Sequence, residues 1–281
     1  MFKYLIIFQL TLISSMFFNP VYGQSFRVMT YNLRWDNPND AENRWDERKA
    51  ELVNFVQDAQ PDILGTQEGL KRQLDYISEN IPQFRMFGVG RDDGKEKGEY
   101  TAIFYNKNRF NLLAHSSFWL SETSHEVSVG WDAALPRICT YGLLEDLKTG
   151  ERIHVFNTHF DHMGQLARLM SAKLIISKIE QMTNENDKVI LMGDFNCNPS
   201  SEPIKEIKKH LKDGKDLSKN GLKGPEATFN GFDKEIENIG TIDHIFIRNF
   251  TVSSYKHITK KRKNKLQLSD HYPVLAVIGI R

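Results

Sequence analysis

Residues 189–196 read Val189-Ile190-Leu191-Met192-Gly193-Asp194-Phe195-Asn196. Four apolar residues that run into Gly-Asp form a strand that ends in a turn. It closes on a carboxylate and an amide. In α/β folds, strand ends collect the functional side chains, because the rigid strand holds them while the adjoining loops leave room for a ligand.

Working outward, similar short apolar or alternating runs occur at residues 26–31, 62–66, 100–105, 110–120, 137–145, 152–157, 241–248 and 272–280. Each predicts a strand. Helical spacing appears between some of them. Trp45, Leu52, Val53 and Val56 mark a helix that stops before Pro61, and Leu70, Leu74 and Ile77 mark a second. Leu166, Met170, Leu174 and Ile179 mark a third, and residues 201–211 a fourth, with Pro203 tolerated in its first turn. Residues 110–157 are nearly all strand, with a hairpin turn at Lys148-Thr149-Gly150. A wholly parallel sheet would need a helix in each crossover. The expectation is therefore an α/β fold, a four-layer sandwich of two mixed β-sheets flanked by helices.

The first 23 residues carry a cation at Lys3, an apolar stretch and then Val21-Tyr22-Gly23. That order predicts a secretory signal peptide cut after Gly23, so that a secreted or periplasmic protein begins at Gln24. The apolar stretch is shorter than the roughly 20 residues of a bilayer span, so no stable membrane insertion is expected. Residues 24–281 suit one domain, with neither linker nor repeat. Formal net charge is +1, which does not mark a polyanion binder. The one basic run, Lys260-Lys261-Arg262-Lys263-Asn264-Lys265, is read as a solvated loop or a phosphate track. Two cysteines, Cys139 and Cys197, are too few for a disulfide framework, and whether they pair is open.

Six strand ends share a chemistry: Thr30-Tyr31-Asn32, Thr66-Gln67-Glu68, Asn157-Thr158-His159, Gly193-Asp194-Phe195-Asn196, Thr241-Ile242-Asp243-His244 and Ser269-Asp270-His271-Tyr272-Pro273. Taken singly, an Asp after a strand is a turn former. Together the six contain mainly acids, amides and histidines, and converging carboxylates repel unless a cation joins them. A hard oxygen set suits magnesium, with manganese or calcium as alternatives, better than zinc.

This ordered pattern of TYN, QE, NTH, GDFN, IDHIF and SDHYP resembles the endonuclease/exonuclease/phosphatase superfamily, across essentially the whole chain after residue 23. That group includes pancreatic-type DNases, AP endonucleases, inositol polyphosphate phosphatases, bacterial sphingomyelinases and deadenylases. The resemblance implies a metal-dependent phosphoester hydrolase that uses activated water. It implies Asn32, Glu68 and Asp270 as the metal set, and Asp194 and Asn196 as the pair that positions or activates the water. By the same resemblance His159 and His271 bracket the scissile phosphate, with Glu99 behind His159 and Asp243 behind His271.

Physical chemistry agrees with these roles. Charge that grows in the transition state needs a cation and hydrogen-bond donors, and histidine titrates where it can also move a proton. Arg137 offers a planar fork to a phosphate, or an ordinary salt bridge. Trp119 and Trp131 are either a stacking rim or core. His159, Asp161 and His162 offer a competing zinc triad, disfavoured because successive strand residues face opposite ways. The leading substrate is a nucleic-acid phosphodiester acted on by a monomer. Lipid headgroups or phosphorylated sugars are the alternative, and a non-catalytic binding module on the same scaffold is a third reading.

Overall fold

Along the first strand, β1 (Ser25–Asn32), every residue from Val28 onward is buried, and the two faces of the strand serve different cores. Phe26 and Val28 join one hydrophobic cluster, while Met29 and Tyr31 join another. The same division holds in β8 (Lys188–Asp194), where Ile190 and Met192 face the first cluster and Val189 and Leu191 face a third. Strands buried on both sides imply layers above and below them. The computed structural model, which describes residues 25–233 and 240–280, has these layers. The expected export signal lies outside the described residues.

The chain continues through α1 (Trp45–Ala59), β2 (Ile63–Gln67), α2 (Lys71–Asn80), β3 (Phe84–Phe87), β4 (Ile103–Asn106), β5 (Phe110–Trp119), β6 (Ile138–Asp146), β7 (Arg152–His159) and α3 (Gln165–Met182). After β8 come α4 (Glu202–Lys208), β9 (Lys212–Asp213), α5 (Gly214–Leu217), β10 (Leu222–Lys223), β11 (Asp243–Arg248), β12 (Phe250–His257) and β13 (Val274–Ile280). A seven-stranded sheet runs β10-β12-β13-β1-β2-β4-β3, and a six-stranded sheet runs β5-β6-β7-β8-β11-β9. Both are mixed: β1 and β2 pair in parallel, as do β7 and β8, while β1 pairs antiparallel with β13. Residues of α1 and α2 cover the first sheet, residues of α3 and α4 cover the second, and the sheets pack face to face. This is the expected four-layer sandwich.

Several details differ from expectation. The four-residue strand β3 and the two-residue strands β9 and β10 were not anticipated, and neither was the longer strand β12. The register of β12 shifts between Val252 and Ser254, and this bulge breaks the alternation that would have revealed it. The buried face of α3 is not Leu166, Met170 and Leu174 but Ala167, Ser171, Ala172, Ile175 and Ile176, joined by Ile179. Leu166 is instead 50% exposed. Small residues on the inner face let the helix lie close against the sheet, and this outweighs the larger side chains beside them.

Close approaches beneath the site depend on glycine at two positions, Gly193 and Gly65. Gly193 has φ of 151°, and a Cβ there would collide with the Thr158 carbonyl on the neighbouring strand. A Cβ on Gly65 would lie 2.8 Å from Asn157 Oδ1, the point at which the two sheets are tied together.

Candidate active site

The period-2 alternation that fills the space between the sheets also delivers its polar ends. On β8 the inner face reads Ile190, Met192 and then Asp194, and on β7 it reads Ile153, Val155, Asn157 and His159. On β11 it reads Asp243, Ile245 and Ile247. Register then sets them side by side, since His159 and Asp243 are both Cα partners of Asp194. On the other sheet, the inner-face series of Phe26 and Val28 leads through Thr30 to Asn32. The site is therefore the end of the inter-sheet core, where side chains of the same parity change from apolar to ionisable.

A cleft of about 390 Å³ opens there, lined by Arg34, Trp35, Glu68, Glu99, Leu135, Arg137, His159, His162, Asp194, Asn196, Phe229, Ile242, Asp270 and His271. All ten residues singled out from the sequence meet in this region: eight line the cleft, and Asn32 and Asp243 lie directly behind it. Glu68 and Asn196 hold left-handed backbone, with φ of 60° and 47°. Such conformations cost a non-glycine residue about 1–3 kcal/mol and cluster at functional sites. Asn196 donates its backbone N–H to Asp194 Oδ1 at 2.9 Å and its side-chain amide to the Phe160 carbonyl at 3.0 Å.

Asn32, expected in the metal set, makes three hydrogen bonds at the wall of the cleft. Its Oδ1 accepts the Arg34 N–H at 2.9 Å, so its amide nitrogen faces Glu68 Oε1 at 2.9 Å and Asp194 Oδ2 at 3.0 Å. A backbone N–H can only donate, which fixes the orientation of the amide. Asn32 thus buttresses two carboxylates and turns its oxygen away from them. The carboxylates left on this wall that could hold a cation are those of Glu68, Asp270 and Asp194. Burial raises the carboxyl of Asp270, and repulsion from Glu68 adds to it. Burial likewise raises Asp194, with Asp243 adding repulsion. A cation among them would relieve this strain, so the donor set fits a hard divalent ion. Asp194, Asp243 and His271 also bring one ligand atom each within 4.8 Å of one another. Within that cluster His271 Nδ1 bonds Asp243 Oδ2 at 2.9 Å.

The two histidines have opposite electrostatic surroundings. At His271 burial works against the charge, but Asp243 and Asp194 outweigh it and push the ring up to about 10. At His159 burial lowers the ring, and Arg137 and Arg91 push it well below the usual histidine range. The expected carboxylate partner of His159 stands off: Glu99 Oε2 is 3.8 Å from Nδ1, and its carboxylate is gripped by Arg91 at 2.8 and 2.9 Å. Asp194 Oδ2 sits between the rings, 3.5 Å from His159 Nε2 and 3.7 Å from His271 Nε2.

Several other sequence readings are resolved here. His159, Asp161 and His162 do converge, but on the Arg137 guanidinium, which occupies the place a zinc ion would take. Trp119 is core, its indole donating to the Arg91 carbonyl at 2.8 Å; Trp35 lines the cleft instead. In the basic run, Arg262 is buried against the Glu42 carbonyl and Asn43, and Lys261 pairs with Asp233. Cys139 and Cys197 are buried free thiols.

Sequence reading missed Arg48, which bonds the Leu33, Arg34 and Leu268 carbonyls and so ties the loop after β1 to the segment that carries Asp270. An arginine in the middle of an apolar helix face was the available signal. Among the described residues, no helix is long and apolar enough to cross a membrane.

Comparison with known proteins gives the same picture. The solved structure of a mannosyl-6-phosphatase from Bacteroides thetaiotaomicron VPI-5482 is 37% identical, covers 90% of this chain and 99% of its own, and superposes with a TM-score of 0.85. An endonuclease/exonuclease/phosphatase family protein from the same species is 36% identical, covers 92% and 99%, and has a TM-score of 0.87. The CCR4-Not complex 3'-5'-exoribonuclease subunit Ccr4 of Mycosarcoma maydis is 26% identical over 58% of this chain and 29% of its own length. The description "Endonuclease/Exonuclease/phosphatase family" matches residues 29–271, the span that carries every strand end of the cleft. With its sheets, its acidic and imidazole cleft and this match in agreement, the chain belongs to the endonuclease/exonuclease/phosphatase family and is a hydrolase.

Proposed function

We propose that the protein is a magnesium-dependent phosphatase of small phosphorylated sugars, exported after loss of residues 1–23 and acting as a one-domain monomer. The observation that carries the hydrolytic reading is one cleft in which Asp194 Oδ2 lies between the two rings, 3.5 Å from His159 Nε2 and 3.7 Å from His271 Nε2, with the Asp243 carboxylate behind His271 and the Arg137 guanidinium behind His159. Three further points support the sugar phosphate. The cleft falls within the range of small-molecule sites, roughly 300–1,000 Å³. The net charge of +1 supplies no basic stripe for a polyanion. The 37% identical relative is a mannosyl-6-phosphatase. This reverses the substrate order expected from sequence.

In this reading Glu68, Asp270 and Asp194 hold the cation, which when bound neutralises phosphate charge. His271 donates from Nε2 to a phosphate oxygen, its positive charge sustained by Asp243 at Nδ1. His159 donates from the opposite wall. Asn196, with its amide nitrogen committed to Phe160, turns Oδ1 to the attacking water, and Asp194 accepts a proton from that water as the water oxygen bonds to phosphorus. The bond from phosphorus to the sugar oxygen breaks, and the departing oxygen takes the proton of His271 Nε2. Trp35, Leu135 and Phe229 supply apolar lining that limits water around the reacting phosphate.

Inorganic phosphate released from mannose 6-phosphate and glucose 6-phosphate, with magnesium and with EDTA, tests the proposal. Turnover in magnesium, lost in EDTA and restored by re-addition of the ion, is expected. The similarity to an exoribonuclease favours a second reading, a nucleic-acid phosphodiester. Degradation of single-stranded RNA without phosphate release from either sugar would replace the first reading with it. For export, the mass of the secreted chain is expected to correspond to an N-terminus at Gln24, and a retained Lys3 would count against it.

A further inference from the structure

One guanidinium holds two histidines of the cleft. Arg137, which is 4% exposed, sets Nη1 3.1 Å from His159 Nδ1, Nη2 3.0 Å from His162 Nδ1 and Nε 3.3 Å from Asp161 Oδ2. The fork is itself anchored, because Asp161 Oδ1 accepts from Met163 N at 2.9 Å and Gly164 N at 2.8 Å while Oδ2 turns to Arg137. An arginine offers donors only and keeps its proton. Both Nδ1 atoms must therefore accept, which leaves the ring hydrogen on Nε2 in each case. An imidazolium at either position would set N–H against N–H beside a fixed cation. His271 has the reverse arrangement, with a carboxylate at Nδ1.

We propose that Arg137 is a positioning residue that locks His159 and His162 as neutral rings with hydrogen on Nε2, making His162 a second neutral donor to substrate oxygen at the mouth of the cleft. The guanidinium gives one donor to each ring and one to Asp161, so Arg137 acts on the substrate through the two rings it positions. His162 lines the cleft and is exposed, as a substrate contact requires. The consequence for turnover rests on the phosphatase reading. The ring states do not, since they follow from the donor count alone.

Long-range ¹H–¹⁵N correlation spectra of the full chain with labelled histidine, assigned through His159→Gln and His162→Gln, report the ring states directly. Both rings are expected to give the neutral Nε2–H pattern at neutral pH. Arg137→Met is expected to move both toward mixed tautomers and to lower kcat about a hundredfold with little change in KM, the scale of a misplaced proton donor. An Nδ1–H or imidazolium pattern at either ring in the wild type would overturn the proposal, whether or not Arg137→Met folds. Unchanged ring spectra in Arg137→Met with a raised KM would also overturn it, in favour of direct phosphate contact. Locked rings in a protein that hydrolyses no phosphoester would leave the tautomer assignment standing and sink only the phosphatase reading.

Discussion

His271→Ala is expected to lower kcat by about three orders of magnitude while leaving the fold intact. The size follows from two losses together. A proton-transferring or donating side chain contributes roughly 10²–10⁴-fold, and removing one fixed donor from a developing oxyanion costs roughly 10²–10³-fold. The effects overlap in one ring, so they do not multiply. His271 is 5% exposed, and its Nδ1 is held by Asp243 at 2.9 Å, so the ring is fixed in the orientation from which Nε2 donates. Asp243→Asn keeps the ring but removes the charge that favours the imidazolium, and a smaller loss is expected there. Steady-state phosphate release beside far-ultraviolet circular dichroism separates catalysis from folding. Activity within threefold of wild type in a folded His271→Ala would remove this ring from the mechanism.

Asn157→Ala should give the largest loss of stability, roughly 3–5 kcal/mol, because a fully buried side chain that satisfies several polar groups leaves each of them unpaired. Its amide donates to the Thr66 and Ala102 carbonyls at 2.9 Å each, and its Oδ1 accepts from Gln67 at 2.6 Å. All three partners belong to the opposite sheet or the segment entering it, so the residue fastens one layer to the other at the floor of the site. Gly65 has no side chain where this amide enters, and alanine at 157 would therefore open a void as well as three unmet hydrogen bonds. Urea unfolding monitored by tryptophan fluorescence measures the change. A loss below about 1 kcal/mol would mean that water or a sheet shift satisfies those groups.

The strands that carry the site were legible because they are short, apolar and bounded by turn residues, and their polar ends stood out in composition. The strand β12 was hidden by its bulge, which shifts the alternation by one residue between Val252 and Ser254. The packed face of α3 was hidden because Ala167, Ser171 and Ala172 are buried for their small size, which hydrophobic spacing does not register. Arg48 was hidden because its partners are backbone carbonyls from Leu33 and Leu268, far apart in the chain.

By itself, the amino-acid sequence determined that the polar ends of several strands would meet, since period-2 alternation puts Asp194 on the same face as Ile190 and Met192, and His159 on the same face as Ile153 and Val155. It did not determine what each of those side chains does once there. Only the tertiary structure turned the Asn32 oxygen away from the carboxylates, gave Glu99 to Arg91, and set a carboxylate behind His271 but a guanidinium behind His159. The physical reason is that a strand's alternation is a local property of the backbone. The charge and hydrogen-bonding state of a buried group depends instead on whichever neighbours the fold brings within a few ångströms, and those come from every part of the chain.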